Sequence, residues 1–120
     1  MSALPSILVV DDEESYRELA RFTLADLGWE IAAAASAAAA MRMIGARGYD
    51  LVLIDGFLGD SSGPDLARRL IAARPGQRVL IYSVMNEEIA ADALAAGALA
   101  CLPKPARFSE VVSFTAERRP

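Results

Sequence analysis

The stretch ILVVDDE, residues 7–13, joins four consecutive apolar residues to three acidic ones. An apolar run of this length is too short for a helix, and its lack of polar alternation is typical of a strand buried on both faces. Three similar runs follow, LVLI at 51–54, VLIY at 79–82 and LACL at 99–102, and a weaker candidate lies at 29–33. Together they predict a five-stranded sheet.

Segments long enough for helices separate these runs. They predict helices over 14–27, 37–46, 64–74, 87–96 and 107–117, with Ser36 and Asn86 as N-caps of the second and fourth. In the first helix, apolar side chains at Leu19, Phe22 and Leu27, together with Ala20 and Thr23, fall on one stripe that we expect to pack on the sheet. Alternation of strands and helices predicts a doubly wound α/β fold with a parallel sheet and right-handed crossovers. We expect residues 1–120 to form one domain.

The composition excludes several kinds of site. The 120 residues contain no histidine, one cysteine (Cys101) and one lysine (Lys104), and the net charge is −4. A disulfide framework, ordinary zinc sites and nucleophiles activated by histidine are therefore excluded. The mild acidity argues against direct nucleic-acid binding, and no apolar run approaches the roughly 20 residues of a membrane span. Because residues 1–5 also lack signal-peptide features, we expect a cytoplasmic protein.

Polar residues follow four of the predicted strands: Asp11 and Asp12, Asp55, Ser83 and Lys104. Ligands of such sheets bind beyond the carboxyl ends of the strands, so we expect these side chains to converge. Two carboxylates about 4 Å apart repel each other by roughly 4 kcal/mol at an effective dielectric near 20. A divalent cation and the lysine would relieve this repulsion. Hard oxygen ligands suit Mg²⁺, with Mn²⁺ as a substitute.

These groups together would hold a phosphoryl group in transfer, because such catalysis consists mainly of positioning and charge neutralisation. Without histidine, the best candidate nucleophile is a carboxylate that forms an acyl phosphate. Asp55 stands alone after a strongly apolar run, whereas Asp11 and Asp12 are paired as if to share a metal. We therefore predict Asp55 as the nucleophile.

Four motifs recur in a known family: VVDDE at 9–13, Asp55 with Gly63 eight residues later, Ser83 after a strand, and LPKP at 102–105. With these motifs, spread over nearly the whole chain, the sequence resembles the receiver domain of response regulators in bacterial two-component signalling. The resemblance implies a flavodoxin-like fold with the strand order 2-1-3-4-5. It also implies a signalling switch and not a turnover enzyme.

The resemblance assigns a role to each residue at the strand ends. Asp55 would accept a phosphoryl group from a phosphohistidine of a sensor histidine kinase or a phosphotransfer protein. The metal ligands would be Asp11, Asp12, Asp55 and the backbone carbonyl of Phe57. Ser83 and Lys104 would bind the phosphoryl group, and the peptide bond before Pro105 would be cis.

Three positions depart from the family pattern. Gly59 stands where proline is common and predicts a more flexible loop. Val84 follows the switch hydroxyl, where a small residue is usual, and would narrow access to the phosphoryl group. Cys101 occupies the place of the aromatic switch residue, and we expect it to be a buried, inert core residue. Signal transmission would then use another aromatic residue, with Tyr82 as the candidate.

Two apolar residues flank the expected site, Phe57 and Met85, each two places after a site residue. In the family these positions tune dephosphorylation, and their apolar bulk predicts slow loss of the phosphoryl group to water. Two alternative functions stay open. A magnesium-dependent phosphatase is disfavoured, because Phe57 stands where such enzymes commonly need a second acid. A degenerate receiver would act as a phosphorylation-independent interaction module.

The sequence leaves the wider context of the domain open. It does not identify the pathway, the cognate kinase or the downstream partner. Residues 1–120 would be either a stand-alone regulator or the receiver of a longer protein. Dimerisation on phosphorylation is also left open.

Overall fold

The structure is a computed structural model that describes residues 4–84, 87–105 and 107–116. Its strands are β1 (Ser6–Val10), β2 (Glu30–Ala34), β3 (Leu51–Asp55), β4 (Val79–Ser83) and β5 (Cys101–Pro103). They form one parallel sheet in the order β2-β1-β3-β4-β5. The predicted flavodoxin-like α/β fold and its strand order are confirmed.

The helices are α1 (Glu14–Asp26), α2 (Ala37–Ala46), α3 (Gly63–Ala73), α4 (Glu87–Ala95) and α5 (Phe108–Ala116). Ser36 caps α2 as predicted, since its side chain accepts a hydrogen bond of 3.1 Å from the amide of Ala39. The predicted cap Asn86 lies outside the described residues. Within the described part of the chain, no helix has the length and apolar character needed to cross a membrane.

The fifth strand starts two residues later than predicted. Leu99 and Ala100 bond to β4 through their backbones at 2.8 and 3.1 Å, but the regular strand begins at Cys101. An apolar run marks burial, and it does not distinguish the approach to a strand from the strand itself.

Two apolar layers cover the two faces of the sheet. Side chains alternate along β1, so Ile7 and Val9 pack under α1 and α5, whereas Leu8 and Val10 face α2, α3 and α4. Each of these four side chains is fully buried. Burial on both faces explains why the strand sequences are continuously apolar.

The predicted contact stripe of α1 is right for Ala20 but wrong for its three large apolar residues. Leu19, Phe22 and Leu27 are exposed, Phe22 by 82%, while the fully buried residues of this helix are Ala20 and Leu24. An α-helix turns by about 100° per residue, so Phe22 lies on nearly the opposite side from Ala20 and Leu24, two positions away from each. Ala20 and Leu24, which are four residues apart, therefore form the side of α1 that packs on the sheet.

Candidate functional site

Three carboxylates meet at the carboxyl ends of β1 and β3. One oxygen from each of Asp11, Asp12 and Asp55 lies within 4.8 Å of the other two. Asp11 is fully buried, Asp55 is 7% exposed and Asp12 is exposed. The cluster is therefore closed on the side of the sheet and open to solvent at Asp12.

The register of the sheet explains this convergence. Val10 pairs with Ile54, so Asp11 and Asp55 follow at the same level of β1 and β3. Asp55 in turn pairs with Tyr82 on β4. Paired residues of neighbouring strands point to the same face of a sheet, so Asp55 and Tyr82 share the face covered by α1 and α5.

Two hydrogen bonds stabilise the ionised carboxylate of Asp55, but they do not fully offset the effect of its burial. Its Oδ1 accepts a bond of 3.3 Å from the amide of Phe57, and its Oδ2 accepts one of 3.1 Å from Lys104. Burial nevertheless raises the pKa of Asp55 above its ordinary value, and the neighbouring charge of Asp11 adds to the increase. The ionised carboxylate would therefore be stabilised by additional positive charge.

Lys104 contributes positive charge to the cluster. Its ammonium nitrogen lies 3.1 Å from Oδ2 of Asp11, 3.1 Å from Oδ2 of Asp55 and 3.4 Å from Oε1 of Glu13. Burial lowers the pKa of Lys104, but the hydrogen bonds that its ammonium donates to Asp11 and Asp55 outweigh burial and raise the pKa overall. The lysine therefore stays protonated, and negative charge remains in excess around it.

The donor set of the cluster fits a hard divalent cation. The three side chains of the cluster all offer carboxylate oxygens, and Asp12 leaves one side open for water. Mg²⁺ prefers one or two carboxylates together with several waters and a phosphate oxygen. Asp11, Asp12 and Asp55 could therefore bind a metal ion.

Two glycines bring the end of β3 close to the start of α3. A Cβ atom on Gly63 would lie 2.6 Å from the backbone oxygen of Asp55. The amide of Gly63 also donates a bond of 2.8 Å to the carbonyl of Gly56. The glycine eight residues after Asp55 is thus required by close backbone contact.

The hydroxyl of Ser83 is placed differently from the carboxylates. Ser83 follows Tyr82 on β4, so its side chain lies on the opposite face, where it is fully buried. A Cβ atom on Gly56 would lie only 2.5 Å from the Ser83 oxygen. The hydroxyl donates a bond of 3.3 Å to the carbonyl of Val84, whose side chain is 74% exposed. Ser83 therefore lies next to the site but beneath Gly56.

The loop after Asp55 is tethered to its surroundings. Asp60 accepts hydrogen bonds from the amides of Ala37 and Ala38, at 2.9 and 3.2 Å, across the N-terminus of α2. These bonds lower the pKa of Asp60. At the other end of the loop, Ser62 caps α3 through the amide of Asp65 at 3.1 Å. The flexibility that we predicted from Gly59 is thus opposed by a bond at each end.

The remaining predicted site residues are Phe57, Met85, Pro105 and Cys101. Phe57 is 58% exposed, and Met85 lies outside the described residues. The peptide bond between Lys104 and Pro105 is cis. The prediction that Cys101 is a buried core residue is wrong, because the side chain is only half-buried at the edge strand β5. Burial still raises the pKa of the Cys101 thiol, which favours the protonated, unreactive form.

Sequence reasoning missed Tyr82 as a residue of the carboxylate cluster. Its hydroxyl donates a hydrogen bond of 2.5 Å to Oδ2 of Asp11, 71 residues away in the chain. Burial raises the pKa of Tyr82, and the bond to Asp11 adds to the increase, so the phenol keeps its proton. A tyrosine at the end of an otherwise aliphatic strand was the available signal.

Comparisons with known proteins agree with this arrangement. The chain is 35% identical over 109 residues to the DNA-binding transcriptional regulator NtrC of Azospirillum brasilense, covering 90% of this chain and 23% of that protein. It is 33% identical over 110 residues to the probable transcriptional regulatory protein TcrX of Mycobacterium tuberculosis, covering 89% of this chain and 46% of that protein. The chain therefore spans less than half the length of either relative.

A solved structure from another organism has the same fold. The CheY-like response regulator receiver domain protein of Methanospirillum hungatei superposes with a TM-score of 0.89 at 27% identity, covering 97% of this chain and 94% of that chain. The model of the response regulator receiver domain family matches residues 7–115. The sequence motifs, the strand order and the acidic cluster agree with both matches, and the chain belongs to the response regulator receiver domain family.

Proposed function

We propose that residues 1–120 form one receiver domain in which Asp55 accepts a phosphoryl group in a Mg²⁺-dependent reaction. The donor is a phosphohistidine of a sensor histidine kinase or a phosphotransfer protein. One observation carries the proposal: Asp55 is an almost buried carboxylate that bonds to Lys104 inside a cluster able to bind a metal. The proposed cation site consists of Asp11, Asp12, Asp55 and the backbone carbonyl of Phe57.

In the proposed reaction, a carboxylate oxygen of Asp55 attacks phosphorus in line with the leaving imidazole. The P–N bond breaks while the new P–O bond forms, and the product is an acyl phosphate. Bound Mg²⁺ would supply positive charge to the phosphoryl oxygens. Burial raises the pKa of Asp55 despite the bond to Lys104, so additional positive charge would stabilise its ionised form.

Two residues of the chain would then stabilise the product. Lys104, which already lies 3.1 Å from Asp55, would pair with a phosphoryl oxygen as a compact ammonium. Ser83 lies beneath Gly56, and its hydroxyl would turn outward to donate to another phosphoryl oxygen. This rearrangement would move β4 and α4 and change the surface offered to a downstream partner.

A ligand-driven switch of this kind has a known energetic requirement. Moving a two-state population from 1:99 to 99:1 requires a difference of about 5.5 kcal/mol between the two states. Contacts of the phosphoryl group with Lys104 and Ser83 would have to supply this difference.

We also propose that the reaction takes place in the cytoplasm, because one relative is named as a DNA-binding transcriptional regulator.

Incubation with acetyl phosphate and Mg²⁺ tests the proposal. Intact-mass spectrometry should show the gain of one phosphoryl group, which alkali removes. The gain should be absent without Mg²⁺ and absent in Asp55→Asn. Asp26→Asn, which changes an exposed carboxylate at the end of α1, is the matched control and should be modified like the wild type.

The same experiment separates the alternatives. A folded wild-type protein that gains no phosphoryl group would contradict the proposal and favour a degenerate receiver. Rapid turnover of many phosphoesters would instead favour a phosphatase. Modification of Asp55→Asn to the same extent as the wild type would assign the acceptor to another residue.

A further inference from the structure

Tyr82 is a fully buried tyrosine at the end of β4. A phenylalanine would fill the same space, and a buried hydroxyl is unfavourable unless it forms a hydrogen bond. The Tyr82 hydroxyl satisfies this requirement through Oδ2 of Asp11, at 2.5 Å. The one polar atom of this side chain is therefore aimed at a carboxylate of the acidic cluster.

Asp11 receives hydrogen bonds from three parts of the fold. Its Oδ1 accepts the amide of Glu13 at 2.9 Å, at the start of α1. Its Oδ2 accepts the Tyr82 hydroxyl from β4 and the Lys104 ammonium, at 3.1 Å, from the segment after β5. Because these donors lie on separate elements, together they fix both the position and the rotation of the carboxylate.

The ring of Tyr82 has a second set of contacts. The ammonium nitrogen of Lys104 lies 5.2 Å from the ring centroid, within the range of a cation–π interaction. The ring of Tyr16, on α1, lies 5.0 Å from the ring of Tyr82 and 4.8 Å from the same nitrogen. Tyr82 therefore contacts both the carboxylate and the cation that surround Asp55.

We propose that Tyr82 is a positioning residue for the metal site, which holds the Asp11 carboxylate with its hydroxyl and supports Lys104 with its ring. The proposal rests on the proposed function, because it assumes that Asp11 binds the cation. Hydrogen-bond partners of metal ligands orient those ligands, and their removal typically weakens metal binding by 10- to 100-fold. Without the Tyr82 hydroxyl, Oδ2 of Asp11 would keep only one of its two donors, the Lys104 ammonium.

Tyr82→Phe removes the hydroxyl and keeps the ring. Calorimetric titration with Mg²⁺, repeated with Mn²⁺ and without a phosphodonor, should show binding weakened by about tenfold or more. Tyr49→Phe removes a hydroxyl from a loop before β3, at the opposite end of the sheet, and should bind like the wild type. Ile81→Val loses packing from the other face of β4 but no hydrogen bond, so it should also retain its affinity.

The controls separate positioning from a general loss of stability. Thermal melting of each variant reports its stability. If the role of Tyr82 were purely structural, Tyr82→Phe would weaken Mg²⁺ binding no more than Ile81→Val does at the same loss of stability. Unchanged or tighter binding by folded Tyr82→Phe would overturn the inference. If this variant does not fold, Tyr82→Met removes the same hydroxyl and is judged by the same criterion. A wild-type protein that binds neither ion would instead contradict the proposed function.

Discussion

The ammonium nitrogen of Lys104 lies 3.1 Å from Oδ2 of Asp55, between the end of β3 and the segment that follows β5. This contact holds the proposed phosphoacceptor against the lysine before any reaction. It does not fully compensate for burial, because the pKa of Asp55 is still raised. Ionised Asp55 is therefore expected to be electrostatically unfavourable in the metal-free site.

Asp55→Asn should stabilise the metal-free protein at pH 7. A carboxyl whose pKa is higher in the folded state than in the unfolded state opposes folding when ionised, and the opposition disappears as the pH falls through the folded-state pKa. Each pKa unit corresponds to about 1.4 kcal/mol. Thermal melts in EDTA should show a higher midpoint for the variant at pH 7 and convergence with the wild type in acid.

Mg²⁺ should reverse this order. An ion at 100 times its dissociation constant stabilises the folded state by about 2.7 kcal/mol. Asp55→Asn lacks one of the carboxylates proposed to bind Mg²⁺, so it should gain less. A lower midpoint for Asp55→Asn in EDTA at pH 7 would show that the Lys104 bond outweighs burial.

Gly56→Ala should destabilise the fold by about 1–3 kcal/mol, as expected for overpacking of a buried site. The added Cβ would lie 2.5 Å from the Ser83 oxygen and 2.6 Å from the Ser83 Cβ. Gly45→Ala is the matched control, because Gly45 lies in α2 with nothing within 4 Å of the added atom. It should stabilise by roughly 0.5–1 kcal/mol. Urea denaturation measures both, and equal stabilities would contradict the close contact.

Asp60→Ala should make the protein less stable at neutral pH. The amides of Ala37 and Ala38 lower the pKa of Asp60 in the folded protein. The carboxylate therefore stabilises the fold at pH values above its unfolded-state pKa of 3.8. This contribution is lost as the pH falls through the lowered folded-state pKa. Thermal melts should therefore show a difference between variant and wild type that disappears in strong acid. A difference independent of pH would argue against the bond to α2.

Phe57→Asn should accelerate loss of the phosphoryl group from Asp55 several-fold. Phe57 is 58% exposed, and its backbone amide donates to Asp55, so residue 57 lies next to the proposed phosphoacceptor. An amide side chain could hold an attacking water, which an apolar ring hinders. Release of inorganic phosphate from the isolated phosphoprotein measures the rate. Equal rates for the two proteins would remove Phe57 from the control of dephosphorylation.

The pattern of apolar runs predicts most of the fold. Continuous burial on both faces leaves no alternation in β1, β3 and β4, so the strands are visible as short apolar runs. The stripe of α1 was not predictable in the same way, because apolar identity alone does not distinguish Phe22, which is exposed, from Leu24, which is buried. Only the position of the neighbouring sheet decides which side of the helix is covered.

The candidate site was predictable in its carboxylates but not in its contacts. Asp11, Asp12 and Asp55 follow strands, and parallel strands end at one edge of the sheet. The bond between Tyr82 and Asp11 depends on register and on side-chain alternation between strands far apart in the chain. The bond that Asp60 accepts from the first amide of α2 likewise joins a loop to a distant helix, and no local sequence pattern predicts it.

Locating the phosphoryl group tests the central claim most directly. After reaction with acetyl phosphate and Mg²⁺, borohydride reduces an acyl phosphate to an alcohol, and tandem mass spectrometry of the peptides identifies the reduced residue. The account predicts reduction at Asp55 alone, and only when Mg²⁺ was present. Reduction at Asp11 or Asp12, or at no residue of a folded protein, would contradict it.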